Sequence, residues 1–189
     1  MPQSEGLALH RAALAVAESG PLLEVGSYCG KSAIYLGAAA RERGSVLFTV
    51  DHHRGSEENQ PGQQYHDPHL VDSGGRSDTL PHLRAAIAGA ELEDVVVAIV
   101  GPSATVARHW RTTLALLFID GGHSRAAVSA DYQGWTPHLM PDGVLAMHDV
   151  FPDPTEGGRP PFEVYQQALA SGDFVEIEAV GSLRILRQR

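Results

Sequence analysis

Two short segments, FIDGGH at 118–123 and MHD at 147–149, carry side chains suited to chemistry. Asp120 ends one apolar run, and His148 and Asp149 end the next, so both groups follow predicted buried strands. Carboxylate oxygens suit Mg²⁺, whereas imidazole shifts the preference toward Mn²⁺, Fe²⁺, Co²⁺ or Zn²⁺. The pattern predicts a divalent-metal site, Mg²⁺ or Mn²⁺, formed by Asp120, His148 and Asp149. Two alternatives stay open: His148 as an outer-layer group or a base, and the two aspartates as loop caps.

His123 lies three residues after Asp120, at the start of a predicted helix. Imidazole can accept a proton near neutral pH, so His123 is the candidate general base. The alternative is a residue at a helix N-terminus that bonds a neighbouring loop.

The stretch LLEVGSYCGKS at 22–32 predicts a strand, a turn and a helix start. Gly26 and Gly30 permit left-handed turns and close approach of a ligand to the backbone, and the helix start offers N–H groups to an anion. Asp51 ends the next predicted strand, where an acid typically binds ribose hydroxyls. The pattern predicts a nucleoside-type cofactor. A dinucleotide is disfavoured because G-x-G-x-x-G is absent from the turn, and a purely structural turn is the alternative.

Strands and helices alternate along most of the chain. Helices are predicted at 5–19, 31–44, 77–90, 103–110, 124–139 and 161–172, and strands at 21–26, 45–51, 95–101, 113–122, 142–150, 174–180 and 182–189. Alternation predicts an α/β fold with a mostly parallel sheet and helices on both faces. The last two strands are joined by one glycine, too short for a crossover, so they predict a C-terminal antiparallel hairpin. The expectation is one domain, 1–189, with ligands at the carboxyl ends of the strands.

Composition restricts the class of partner. The net charge of −9 argues against a nucleic-acid partner. Cys29 is the single cysteine, and neither a signal peptide nor an apolar stretch of membrane-spanning length is visible. We therefore expect a soluble, cytoplasmic protein that does not associate with membranes.

The motif LLEVGSYCGKSAIYLG resembles motif I of the class I S-adenosylmethionine-dependent methyltransferases. It is most similar to the metal-dependent catechol-type O-methyltransferases, which carry E-x-G-x-Y-C-G-x-S, and the resemblance extends over about residues 20–189. It implies a Rossmann-like, seven-stranded methyltransferase sandwich that binds S-adenosylmethionine. The cofactor-binding residues that it implies are Glu24, Gly26, Ser27, Tyr28, Ser32, Asp51, His52, Ser103 and Asp120.

The same resemblance assigns roles at the chemical end of the site. The catechol-type enzymes place metal ligands at Asp120 and at the following pair, which is normally Asp-Asn and here is His148-Asp149. They place a catalytic Lys at the position of His123.

The acceptor is predicted from the polar segment 52–76, a predicted lid rich in His, Asn, Gln and acids. Such a lid favours a small hydroxylated acceptor, with a sugar or saccharide first and a catechol or phenol as the alternative; a solvated surface loop is the other interpretation of the segment. An NAD-type oxidoreductase, an oxidative relative of the same fold and a non-catalytic cofactor-binding domain are the competing functions. A homodimer is expected because the fold commonly dimerises, with 5–19 or 52–76 as candidate contacts.

Overall fold

One mixed sheet runs through the protein in the computed structural model, which describes residues 1–63 and 65–189. Within those residues the sheet has seven strands: β1 (Leu22–Val25), β2 (Leu47–Asp51), β3 (Val96–Val100), β4 (Leu114–Ile119), β5 (Leu139–Met147), β6 (Phe174–Val180) and β7 (Leu183–Gln188). Their spatial order is β3-β2-β1-β4-β5-β7-β6. The first five are parallel, whereas β7 is antiparallel to both β5 and β6. The predicted α/β fold with a closing hairpin is confirmed.

Six α-helices are present in the described part of the chain: α1 (Gln3–Val16), α2 (Lys31–Glu42), α3 (Leu80–Gly89), α4 (Ser103–His109), α5 (Arg125–Trp135) and α6 (Arg159–Ser171). Strand residues alternate between two cores because successive side chains point to opposite faces. Leu22 and Leu116 join the core under α1, α2 and α3. Leu23 and Leu117 join the core under α4, α5 and α6. The sheet is thus covered on both faces, as expected for a parallel sheet.

The strand order reverses at β1, which pairs with β2 on one side and β4 on the other. In such sheets the crevice at the carboxyl ends beside the reversal is the ligand-binding place. The predicted strand ends lie at this edge: Asp51 closes β2, and Gly26, Asp120 and His148 directly follow β1, β4 and β5.

The boundary between α5 and β5 differs from the sequence prediction. The helix predicted to run to 139 ends at Trp135 and continues as a short 3₁₀ turn, Thr136–His138, because Pro137 lacks an N–H. Strand β5 therefore begins at Leu139, and its pairing with β4 shifts register between Leu114 and Leu116.

The 52–76 segment folds as turns and two 3₁₀ helices, Glu57–Asn59 and Pro68–Leu70; its Gln64 lies outside the described residues. Gln60 donates from Nε2 to the carbonyls of Arg54, Gly55 and Ser56. Arg54 pairs with Asp72 at 3.0 Å. These bonds fold the segment back on itself. No helix in the described residues combines the length and apolar character needed to cross a bilayer.

Candidate active site

The turn after β1 brings the ends of β1 and β4 into contact. Gly26 has φ +93°, and a Cβ there would lie 2.6 Å from the carbonyl carbon of Asp120 and closer still to its oxygen. Only glycine fits this approach, since the backbone is left-handed and the space is taken by β4. The motif glycine therefore fixes Asp120 against the crevice.

Three residues of this edge other than glycine adopt positive φ: Tyr28 (46°), His53 (57°) and Asp149 (55°). Each lies a few residues after a strand end. Such backbone conformations are sparsely populated and concentrate at functional sites, where the surrounding structure holds them in place.

Asp51 is oriented by two backbone amides. The N–H of Tyr28 donates to its Oδ2 at 2.9 Å, and the N–H of His53 donates to its Oδ1 at 2.7 Å. A carboxylate oxygen can accept more than one hydrogen bond, so both oxygens keep capacity for a ligand hydroxyl. The structure thus joins the turn after β1 to the end of β2 at the position predicted for ribose.

Glu24 is fully buried beneath this turn. Its Oε2 accepts a hydrogen bond from Thr49, which also bonds the Ser27 hydroxyl. Among the described residues its Oε1 has no hydrogen-bond partner. Burial raises the pKa of Glu24 to about 7, although the neighbouring hydroxyls of Ser32 and Thr49 oppose the shift. A buried carboxylate with a free oxygen is costly, and a cationic ligand nearby would offset that cost.

Ser103 is bonded within the protein. As the first residue of α4, it donates to Asp131 Oδ1 at 2.6 Å and accepts from Trp135 Nε1 at 2.8 Å. Burial raises the pKa of Asp131 to about 6. Asp131 escaped the sequence reasoning because it falls inside α5, away from any strand end. His52, by contrast, is exposed, and its Nδ1 accepts from the N–H of Arg54 at 3.0 Å.

Asp120, His123 and Asp149 lie together: one ligand atom from each falls within 4.8 Å of the others. His123 Nε2 lies 2.8 Å from Asp149 Oδ2. This nitrogen is buried, yet it makes no well-aligned hydrogen bond with any described residue. The arrangement brings Asp120 and Asp149, which the sequence places on neighbouring strand ends, into one cluster with His123, the predicted general base.

His148 lies between the two aspartates. Its Nδ1 is 3.1 Å from Asp120 Oδ1 and 3.2 Å from Asp149 Oδ1. This nitrogen too is buried without a well-aligned hydrogen bond to a described residue. Its other nitrogen, Nε2, donates to Glu5 Oε2 at 2.8 Å.

The cluster is strongly coupled electrostatically. Burial would lower the pKa of His148, but Asp120 and Asp149 outweigh it and raise that pKa to about 11. The Asp149 carboxylate raises the pKa of His123 to about 9 against the effect of burial, with a further contribution from Glu58. The two histidines in turn overcome burial and hold the pKa of Asp149 well below its usual range.

Glu58 reaches the cluster from the 52–76 segment. Its Oε1 lies 3.2 Å from His123 Nδ1, and Gly122 lies close to Ser56. The segment therefore contacts the chemical end of the crevice. Neither Glu58 nor Glu5 was predicted. The available signal for Glu5 was its place on the apolar face of α1, one turn before Ala8 and Leu9.

The strand order, the glycine turn after β1 and the acid that ends β2 define a class I methyltransferase fold. A family described as a methyltransferase domain matches residues 23–150, and the chain belongs to that family. The sequence-based recognition of a class I methyltransferase is confirmed.

Solved structures with the same fold include three methyltransferases. The O-methyltransferase NovP shares 16% identity with a TM-score of 0.72, covering 97% of this chain and 79% of that chain. TomG, an O-methyltransferase from Streptomyces achromogenes, shares 15% identity with a TM-score of 0.68, covering 100% of this chain and 81% of that chain. The calicheamicin methyltransferase CalS11 shares 18% identity with a TM-score of 0.69, covering 95% of this chain and 76% of that chain. At these identities the likeness establishes the fold.

Proposed function

We propose that this protein is an S-adenosylmethionine-dependent and divalent-metal-dependent O-methyltransferase that methylates a hydroxyl of a small polar acceptor. One observation carries the proposal. Asp120, His123 and Asp149 have ligand atoms within 4.8 Å of one another, at the same edge of the sheet as the Gly26 turn and Asp51.

The residues of the turn fit the cofactor. S-adenosylmethionine carries a sulfonium and an ammonium, and Glu24 presents a buried carboxylate with one unpartnered oxygen among the described residues. The amides of Tyr28 and His53 orient Asp51 toward a ribose. TomG was solved in complex with S-adenosylmethionine, which supports the same cofactor for this chain.

The chemical end fits a divalent cation on two grounds. First, the buried nitrogen His148 Nδ1 lacks an aligned partner among the described residues while it lies 3.1 Å from Asp120 Oδ1 and 3.2 Å from Asp149 Oδ1. Second, four carboxylates surround the two imidazoles, so the cluster keeps a negative charge even when both rings are protonated. The groups that would hold the ion are Asp120, His148 and Asp149, with His123 beside them.

In the proposed mechanism the cofactor would supply an electrophilic methyl group, and a metal held by Asp120, His148 and Asp149 would lower the pKa of the acceptor hydroxyl. The chain positions both reactants on one rigid strand edge, which removes much of the entropic barrier. His123 accepts the hydroxyl proton at Nε2, while Glu58 holds Nδ1. Because the raised pKa of His123 depends on the Asp149 carboxylate, engagement of that carboxylate by a metal would favour the neutral, basic form of His123.

The acceptor is proposed to be a sugar or saccharide because the 52–76 segment, which contacts the site, is polar. Tyr28 is 46% exposed at the crevice and would also suit a planar phenol, so a catechol or phenol is the second candidate. A non-catalytic cofactor-binding domain would bind the cofactor without turnover. The homodimer stays a prediction that light scattering would check.

The test combines binding and turnover. S-adenosylmethionine is titrated calorimetrically into metal-stripped protein, and S-adenosylhomocysteine release is then followed with Mg²⁺ or Mn²⁺ and pools of sugars and phenols. We expect the protein to bind S-adenosylmethionine without metal and to release S-adenosylhomocysteine only when metal is present. Asp120→Ala should abolish release and leave cofactor binding within about threefold. Absence of cofactor binding would refute the methyltransferase proposal, and release that is unaffected by chelation would refute metal dependence.

A further inference from the structure

Glu5 is a buried acid far from the motifs. It lies in the first turn of α1, and the residue is 2% exposed. Glutamate is almost never fully buried unless it is paired, because removing a carboxylate from water is costly. The contacts of Glu5 should therefore identify the groups that compensate its charge.

The Glu5 carboxylate is fully engaged by two elements near the site. Its Oε1 accepts from the N–H of Ser182 at 2.6 Å and from the Ser182 hydroxyl at 3.1 Å. Its Oε2 accepts from His148 Nε2 at 2.8 Å. Gly181, with φ +54°, leaves the space for it, since a Cβ there would lie 3.2 Å from Glu5 Cδ and closer to Oε1. The turn between β6 and β7 thus holds Glu5 against His148.

We infer that Glu5 is a positioning residue that holds His148 with Nε2 protonated and Nδ1 directed at the cation between Asp120 and Asp149. The inference rests on the proposed metal-dependent function and extends it to a residue of the first helix. It assigns His148 to the metal and not to proton transfer.

The geometry supports this assignment in two ways. Histidines that bind metals usually donate their other ring N–H to a carboxylate, which fixes the tautomer and ring orientation. Neighbouring ligands at right angles around an ion, with bonds of about 2.1 Å, lie about 3 Å apart. The distances from His148 Nδ1 to Asp120 Oδ1 and Asp149 Oδ1, 3.1 and 3.2 Å, have that spacing.

A purely structural role is the competing explanation. In that case Glu5 and His148 form an ion pair that joins α1 to β5 and the β6–β7 turn, and a His148 imidazolium neutralises the two aspartates in place of a cation. This explanation predicts a change in stability but none in metal affinity.

The direct test observes the ring nitrogens of His148. Protein labelled with ¹⁵N-histidine is loaded with Zn²⁺, a diamagnetic probe, and the His148 signals are assigned by their loss in His148→Gln. We expect Nδ1 to take the chemical shift of a metal-bound nitrogen and Nε2 to stay protonated. Retention of the proton on Nδ1 with Zn²⁺ bound would overturn the inference.

The second test measures affinity. Mn²⁺ is titrated into metal-stripped wild type, Glu5→Gln and the exposed control Glu18→Gln, which loses only its surface pair with Arg43. We expect Mn²⁺ affinity to fall about 10–100-fold in Glu5→Gln and to stay unchanged in the control, with cofactor affinity within about twofold in both. In a His148→Asp background, Glu5→Gln should bring no further loss. If folded Glu5→Gln binds Mn²⁺ as tightly as wild type does, the inference is contradicted and the proposed function is left intact. If the wild-type protein binds the cofactor but no metal, the metal dependence itself is contradicted.

Discussion

Gly26→Ala tests the two reasons why the motif turn requires glycine: its left-handed backbone and the lack of space for a Cβ beside β4. The new Cβ meets a backbone with φ +93° and would lie 2.6 Å from the Asp120 carbonyl carbon. Gly44→Ala is the matched control because Gly44 has φ +65° and a Cβ added there would meet nothing within 4 Å. Both variants incur left-handed strain, and only the first collides with β4.

The magnitude follows from these two terms. A left-handed residue with a Cβ costs about 1 kcal/mol, so Gly44→Ala should lower the free energy of unfolding by about that amount. Gly26→Ala adds an overpacking term of about 1–3 kcal/mol because its neighbour is backbone and cannot rotate away. The total loss is about 2–4 kcal/mol. In a protein of this size each kcal/mol shifts Tm by about 2–4 °C.

Thermal and urea unfolding of the two variants measure this difference, and calorimetry measures the effect on the site. We expect Gly26→Ala to weaken cofactor and Mn²⁺ binding at least tenfold, since relief of the collision displaces both the motif turn, which would bind the cofactor, and Asp120, which would bind the metal. Gly44→Ala should bind both ligands like wild type. Equal unfolding losses in the two variants, or native ligand affinity in a folded Gly26→Ala, would show that the contact with Asp120 does not organise the site.

Three further predictions concern single side chains. Glu24→Gln should alter the pH dependence of stability, because burial raises the pKa of Glu24 to about 7. The free energy of unfolding of wild type should fall by up to about 3 kcal/mol relative to the variant as pH rises from about 4.5 through 7. The same pH dependence of unfolding in both cofactor-free proteins would contradict this. Glu58→Gln should lower kcat about tenfold with the KM for the cofactor unchanged, because Glu58 touches His123; the exposed neighbour variant Glu57→Gln is the control, and equal kcat values would rule out a role for the 52–76 contact. Ser103→Ala should cost about 1–3 kcal/mol in urea unfolding, because Asp131 loses a donor and Trp135 an acceptor; an unchanged midpoint would refute this.

The fold could be predicted because local signals and global topology agree. Apolar runs such as LALLFI mark strands that are buried on both faces. The single glycine between the two predicted C-terminal strands was too short for a crossover, which left only a hairpin. Strand boundaries were less accurate where Pro137 ended α5 early, since the helical period continues through the 3₁₀ turn and β5 then starts before the predicted residue.

The candidate site could be predicted only where its residues follow strand ends. Asp51, Asp120 and Asp149 were found because parallel topology brings those ends to one edge. Glu5 and Glu58 contact the same cluster from a helix and from an irregular segment. Glu5 is 143 residues from its partner His148, and the spacing of residues along a single sequence does not indicate such a contact.

The contact between Glu5 and His148 bears on the choice of metal. His148 and Asp149 stand where the catechol-type enzymes normally carry Asp-Asn. An imidazole in place of the aspartate removes one negative charge, and Asp149 in place of the neutral Asn restores it, so the inner ligands keep the same formal charge. Glu5 adds a further carboxylate one layer out, through His148 Nε2. The charge of the ligands at the proposed cation is thus conserved while one oxygen ligand is replaced by nitrogen. Because Mg²⁺ favours oxygen and imidazole suits Mn²⁺, Fe²⁺, Co²⁺ and Zn²⁺, this exchange should alter which metal binds more than how tightly metals bind. His148→Asp combined with Glu5→Gln should therefore shift the preference toward Mg²⁺ in competition titrations, and an unchanged Mg²⁺/Mn²⁺ ratio would count against this assignment of charge.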